Sequence, residues 1–131
     1  MPYLQLDTPY SHSIGLKQRF AQRVGEIYAQ HMGTRADRVT VAIRELGVGG
    51  VWRCSAQTPP RPAALLMCDI RRGRPVEQRA ELARLLVAAC CETLELTPDC
   101  VNVAFTQHAG DEMYHPMFGG LSEDWTEGEG R

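Results

Sequence analysis

The 131-residue chain has no block of basic residues, and its formal net charge is −2. It therefore lacks the electrostatic footprint of a nucleic-acid partner. No apolar run approaches the ~18 residues of a membrane-spanning helix. The first residues have neither the basic start nor the apolar stretch of a secretory signal, so a cytoplasmic protein is expected. No Cys-x-x-Cys pair occurs, and His12, His31, His108 and His115 show no ligand spacing, so no metal is expected. The five cysteines (Cys54, Cys68, Cys90, Cys91 and Cys100) are odd in number, and two are adjacent within a helical pattern. That argues against a disulfide framework and for reduced thiols. What remains is an ordinary globular composition, 44% hydrophobic and 23% charged, at a length suited to one domain.

Tyr3, Leu4 and Leu6 read as a first strand, with Pro2 at its head, where a strand tolerates proline. A polar turn follows, in which Ser13 or Ser11 can cap a helix. Phe20, Val24, Ile27, Tyr28 and Met32 recur at helical spacing, and Gly33 suits the position just past the helix end. Val39, Val41 and Ile43 then alternate with polar residues as a strand. Residues 2–46 form a β-α-β unit. Residues 47–63, with four Gly or Val at their start and Thr58-Pro59-Pro60-Arg61-Pro62 near their end, read as a linker pinned by Trp52.

Residues 64–108 repeat the pattern. Ala64 to Ile70 is a strand, Pro75 stands as the first helical residue, and Leu82, Leu86, Ala89, Cys90 and Leu94 line a helix. Val101, Val103 and Phe105 alternate as the last strand. The units superpose without a gap, Pro2 on Ala64 and Phe20 on Leu82, so an internal duplication is the simplest account. The expected fold is α/β, layered as α+β: a four-stranded sheet with both helices on one face. Residues 109–131 read as a C-terminal loop or hairpin rich in Met and aromatics, anchored by Trp125 and frayed from Thr126 on.

If the first strands of the two units run antiparallel, the head of one meets the end of the other. Pro2 then lies beside Arg71 and Arg74. With Met1 removed, Pro2 is a secondary amine on a rigid strand; with Met1 attached, it is an amide with no base to offer. Arginines pair with carboxylates through paired hydrogen bonds. The first unit has Pro9 and His12 opposite Arg71 and Arg74, and the second has Ala64 opposite Pro2, which points to one working site per chain. Tyr28 reads as core more readily than as ligand. His115 and Glu112, in the aromatic loop, are candidates for the border of the site.

The Met-Pro start, the tandem β-α-β and the stretch "IRRGRPVEQRAEL" together resemble the tautomerase superfamily, over nearly the whole chain. "DIRRGRPVEQ" is most similar to the arginine turn of its cis-3-chloroacrylic acid dehalogenase subgroup. Fused, double-length relatives of 4-oxalocrotonate tautomerase link the two. The resemblance implies a tautomerase (MIF-like) fold, Pro2 as catalytic amine, Arg71 and Arg74 as carboxylate ligands, and no metal or organic cofactor. In the dehalogenases a first-helix histidine assists binding, and Tyr28 matches it here. A last-strand tyrosine and a C-terminal glutamate activate water there, and here Ala104 and His115 stand in register, with Glu112 nearby. The tautomerases also carry a second-strand arginine, where Thr40 stands here.

The implied activity is proton transfer on a 2-hydroxydienoate or an enolised 2-keto acid. The rival enzyme class is a hydratase like cis-3-chloroacrylic acid dehalogenase, or a malonate semialdehyde decarboxylase. A third option is a non-catalytic assembly protein. The open sheet face, with Thr40, Ala42, Ala104 and Thr106 small enough for close approach, leads to the expectation of association, and the resemblance to fused relatives, which pack three chains into a barrel-like core, implies a homotrimer.

Overall fold

Alternation along the first strand decides which way it faces: Leu4, Leu6 and Thr8 are fully buried, while Tyr3, Gln5 and Asp7 are less so. A computed structural model describes residues 1–129. In chain order the elements are β1 (Tyr3–Thr8), α1 (Ile14–Met32), a 3-10 turn (Ala36–Arg38), β2 (Thr40–Glu45), β3 (Trp52–Arg53), β4 (Arg61–Pro62), β5 (Ala64–Arg71), α2 (Val76–Leu94), a second 3-10 turn (Pro98–Cys100), β6 (Val101–His108) and a third (Gly110–Glu112).

The main sheet runs β2-β1-β5-β6. Each outer strand is parallel to its neighbour, from Tyr3↔Thr40 to Thr8↔Glu45 and from Ala64↔Val101 to Arg71↔His108. The central pair is antiparallel, with Tyr3 opposite Asp69 and Leu6 opposite Leu66. Both helices cover one face, where Phe20, Val24, Tyr28 and Met32 meet Leu82, Leu86 and Cys90 over Leu4, Leu6, Leu66 and Ile70. Each buried Leu or Ile contributes about 1.5–3 kcal/mol of transfer free energy, so this layer is what holds the sheet to the helices. Burial pushes the Cys68 and Cys90 thiols up to about 12, so both act as small apolar side chains.

An offset of 62 residues carries α1 onto α2 end for end, both 19 residues long, and the first 3-10 turn onto the second. The two β-α-β units thus match element for element at one offset. Ser13 caps α1 by accepting from the Leu16 N–H at 3.1 Å, and Gly33 ends it at φ 66. In α2 the structure corrects one expectation. Pro75 is the cap rather than the first helical residue, because its ψ of 158° is extended; helical geometry begins at Val76.

Two further expectations are corrected. The linker is not all loop: β3 and β4 pair as a small antiparallel hairpin, Trp52 against Pro62 and Arg53 against Arg61. Trp52 does not pin it to the body. That ring is 53% exposed and its N–H donates to Gly49 O within the same turn. The ties are Arg53, which donates to Asn102 Oδ1 on β6 at 2.9 Å, and Arg61, whose guanidinium lies 4.0 Å from the Asp99 carboxylate.

The segment after β6 folds back along the β5–α2 turn. The Trp125 N–H donates to Arg72 O at 2.8 Å, the anchoring expected of Trp125. Gly73, at φ 130, leaves no room for a side chain: a Cβ there would lie 2.1 Å from Trp125 O. The chain beyond Trp125 is not frayed up to Glu129, whose carboxylate is hydrogen-bonded; Gly130 and Arg131 lie outside the described residues.

Candidate functional site

The antiparallel register sets the head of β1 beside the end of β5, and Pro2 is buried there, its carbonyl accepting from the Thr40 N–H at 3.1 Å. A pocket of about 230 Å³ opens at this point. Pro2, Tyr28, Arg71, Arg74 and His115 line it, so five of the six residues named from sequence converge. Glu112 does not. Its carboxylate is turned back to accept the Ala109 N–H at 3.0 Å, closing its own 3-10 turn. Met1, Thr34, Arg38, Met113, Phe118, Gly120, Ser122 and Glu129 complete the lining, and of these Arg38 and Glu129 are the charged side chains that sequence reasoning had not named as site residues.

The arginines differ in their partners. Arg74 is 6% exposed, and its Nε and Nη2 both donate to Met32 O, the last turn of α1, at 3.2 and 2.9 Å. A guanidinium there complements the negative end of the helix dipole. Its other face lies 5.1 Å from the Trp125 ring. Arg71 is held by the C-terminal segment: it donates to Glu123 O at 3.1 Å and to the Glu129 carboxylate. Arg38 makes no ion pair among the described residues; its guanidinium sits 5.0 Å from the Phe118 ring. Arg72 points elsewhere and pairs with exposed Asp124 at 3.3 Å.

These charges act on three titrating groups of the pocket, the Met1 amine, Tyr28 and Glu129. Burial, then the charges of Arg71, Arg38 and Arg74, hold the amine of Met1 below the ordinary α-amino value of 8.0. Burial pushes the Tyr28 hydroxyl up to about 12, so it stays protonated at neutral pH. Burial pushes the Glu129 carboxyl up as well, but the Arg71 hydrogen bond, the Thr126 N–H and the charges of Arg71 and Arg74 outweigh it. Glu129 ends below the usual carboxylate range, and it is an anion seated on Arg71.

Solved structures share this architecture. A protein named Pt0534, crystallised after inactivation by 2-oxo-3-pentynoate, aligns with a TM-score of 0.76 at 24% identity, covering 92% of this chain and 94% of that one. N1, a member of the cis-3-chloroacrylic acid dehalogenase family, aligns at 0.80 and 18% identity, over 93% of this chain and 85% of that one. A fused 4-OT solved as a symmetric trimer aligns at 0.77 and 22% identity, over 92% and 94%. The chain has the tautomerase-superfamily fold. No protein-family model matches it, and no curated protein does. At such identities the likeness carries the fold, while activity has to be argued from the site.

Within the tautomerase fold the duplication creates a second, pseudo-equivalent hollow. It measures about 560 Å³ and lies at the opposite end of the β1–β5 pair, lined by Tyr10, Ser11, His12, Leu96, Cys100 and the hairpin arginines Arg53 and Arg61, among others. The 62-residue offset places His12 where the first pocket has Arg74, Cys100 where it has Arg38, and Leu96 where it has Thr34. The same asymmetry that singled out Arg74 from sequence would have singled out Arg38. Arg38 sits in a 3-10 turn just before β2, outside the alternating strand pattern. Glu129 carried no periodic or motif signal at all.

Proposed function

We propose that this protein is a tautomerase, in which Pro2, freed of Met1, is the general base and arginines hold the substrate carboxylate. The observation that carries this is the convergence of Pro2 with three guanidiniums on one pocket where an amine is held below its usual value. A base must be neutral near pH 7, and cations plus burial disfavour its protonated form. On a 2-hydroxydienoate or an enolised 2-keto acid, the amine takes the enol O–H proton. The O–H electrons form the C=O bond, the C=C electrons form a new C–H bond, and the ammonium returns the proton to that carbon. Arg71 and Arg74 bind the carboxylate and offset charge building on the enolate oxygen. No metal or organic cofactor enters the scheme.

Glu129 favours a second reading. It is the carboxylate in the pocket, so a hydratase resembling cis-3-chloroacrylic acid dehalogenase, or a malonate semialdehyde decarboxylase, would use it to handle water. Held below the usual carboxylate range by Arg71, it is a weak base, and proton transfer by Pro2 is the better-supported chemistry. A homotrimer fits the sheet face opposite the helices, where Thr40, Ala42, Ala104 and Thr106 alternate with core-facing neighbours, and the fused 4-OT trimer supports it. Light scattering should give three chains at micromolar concentration; a stable monomer would defeat the trimer. The enzymatic test is mass spectrometry of the N-terminus followed by assay against enol and halo-acrylate acids. A protein that keeps Met1 and turns over none of them would be the non-catalytic assembly protein instead.

A further inference from the structure

We propose that Glu129 is an internal competitor for Arg71: its carboxylate holds the guanidinium that receives the substrate carboxylate, and an acid enters only by displacing it. The proposal deepens the tautomerase reading above and takes from it only that Arg71 is a carboxylate ligand.

Glu129 is the one acid among the described residues lining the pocket. Its Oε2 accepts from Arg71 Nη2, 58 residues away in the chain. The rest of that guanidinium is held by the same C-terminal segment: Nη1 donates to Glu123 O at 3.1 Å and to Ser122 Oγ at 3.4 Å. The Arg71 hydrogen bond and the charges of Arg71 and Arg74 keep the Glu129 carboxyl below the usual range, so it is an anion at neutral pH. A substrate carboxylate placed on Arg71 beside Glu129 would set two like charges on one guanidinium, so binding of one disfavours the other. Arg74 differs, because it donates to a backbone carbonyl, Met32 O. Competition between carboxylates therefore falls on Arg71.

The local structure lets Glu129 leave without unpicking the segment that carries it. Up to Trp125 the chain is pinned: the Gly110 N–H donates to Asp124 Oδ1 at 2.8 Å, and the Trp125 N–H to Arg72 O at 2.8 Å. Beyond Trp125, residues 126–129 form a single turn, with the Glu129 N–H on Thr126 O at 3.2 Å and the Thr126 N–H on Glu129 Oε1 at 2.9 Å. Gly128 bends that turn at φ 79, with open space where a side chain would stand. Among the described residues, the Arg71 pair is the hydrogen bond that ties the turn to the body. Its two side chains are 18% and 29% exposed, so water screens the pair and holds the preference for the closed form to a modest factor. An acid replaces Glu129 with an equivalent carboxylate; a neutral carbonyl compound brings no such replacement.

Calorimetry on protein trimmed of Met1, with sorbate (a diene acid with no enol) and with its neutral amide, tests this. Glu129→Gln keeps the size of the side chain and removes its charge. It should tighten sorbate about three- to tenfold, the reciprocal of the fraction of wild-type chains already open, and leave the amide unchanged. Glu129→Ala should likewise tighten sorbate. Glu129→Asp, which keeps the charge, should bind sorbate more weakly than Glu129→Gln does. Asp124→Asn removes a negative charge of the same segment that pairs with Arg72 outside the pocket, and it should stay within about twofold of wild type, which separates displacement from a general change of field. In turnover of an enol acid, Glu129→Gln should lower KM by the same factor without lowering kcat. Unchanged or weaker sorbate binding by Glu129→Gln, an equal gain for the amide, an equal gain in Asp124→Asn, or a fall in kcat would overturn the proposal, the last by making Glu129 part of the chemistry. Tighter sorbate binding with no turnover of any enol acid would sink the tautomerase reading alone; turnover with Glu129→Gln no different from wild type would sink the competitor alone.

Discussion

The two ends of the β1–β5 pair are related by one 62-residue offset and differ in charge. One gathers Pro2, Arg38, Arg71 and Arg74; the other, through the same backbone offset, presents Ala64, Cys100, Pro9 and His12. Under the 62-residue offset the helix bounds coincide residue for residue, while the repeat units themselves supply Arg38, Arg71 and Arg74 at one end and at the other Cys100, Pro9 and His12, the arginines there, Arg53 and Arg61, coming from the hairpin. The repeated scaffold is thus present twice, and the two copies differ in a handful of side chains at strand ends and in one 3-10 turn.

Gly73 is where that comparison is most easily broken. Its counterpart is Ser11, on the surface. Gly73→Ala should destabilise the protein by about 2–5 kcal/mol, combining backbone strain at φ 130 with a clash against Trp125 O. Ser11→Ala should stay within about 0.5 kcal/mol. Urea unfolding of both variants measures the contrast. Next comes Arg74→Ala, which strips the Met32 carbonyl of a charged donor and should cost about 1.5–3 kcal/mol of stability as well as raising KM. Its counterpart, His12→Ala, should cost little, because what fixes His12 is its backbone N–H on Glu45 at 2.7 Å, and that survives the change.

Smaller effects sharpen the comparison further. Helix α1 ends on Gly33 at φ 66, whereas α2 ends on Glu95 at φ 57, a left-handed conformation that a side chain disfavours. Glu95→Gly should therefore stabilise by about 0.5–1 kcal/mol, and Gly33→Ala should do the reverse, as thermal unfolding would show. Smallest of all is Arg72→Ala, which removes one exposed ion pair and should change stability by less than about 0.5 kcal/mol and KM not at all. A loss at Arg72 equal to that at Arg71 would mean the turn is a diffuse positive patch.

The periodic parts of the fold were legible because burial writes itself into spacing. Phe20 to Met32 and Leu82 to Leu94 fixed the helices, and the offset between them exposed the duplication. Arg71 and Arg74 stood out because their counterparts were uncharged. The rest depended on contacts distant in sequence. Nothing local announces that Glu129 reaches Arg71, 58 residues away, or that Trp52 leaves the tie to Arg53 and Arg61. Pro75 showed only that a helix begins nearby, since a φ of −66° suits the cap and the first helical residue alike.

The central claim is that a free Pro2 amine, with its pKa lowered by the pocket, moves the proton, and the pH profile of kcat/KM on an enol acid tests it most directly. Protein trimmed of Met1 should gain activity as pH rises through an amine pKa below ~8, because only the neutral amine can accept a proton. Arg38→Ala should move that limb to higher pH, since losing a cation makes the ammonium easier to form. Protein retaining Met1 should fold identically and transfer no proton. Equal turnover by the trimmed and Met1-retaining forms, with no amine limb in either profile, would contradict the assignment and leave Pro2 as no more than the head of a strand.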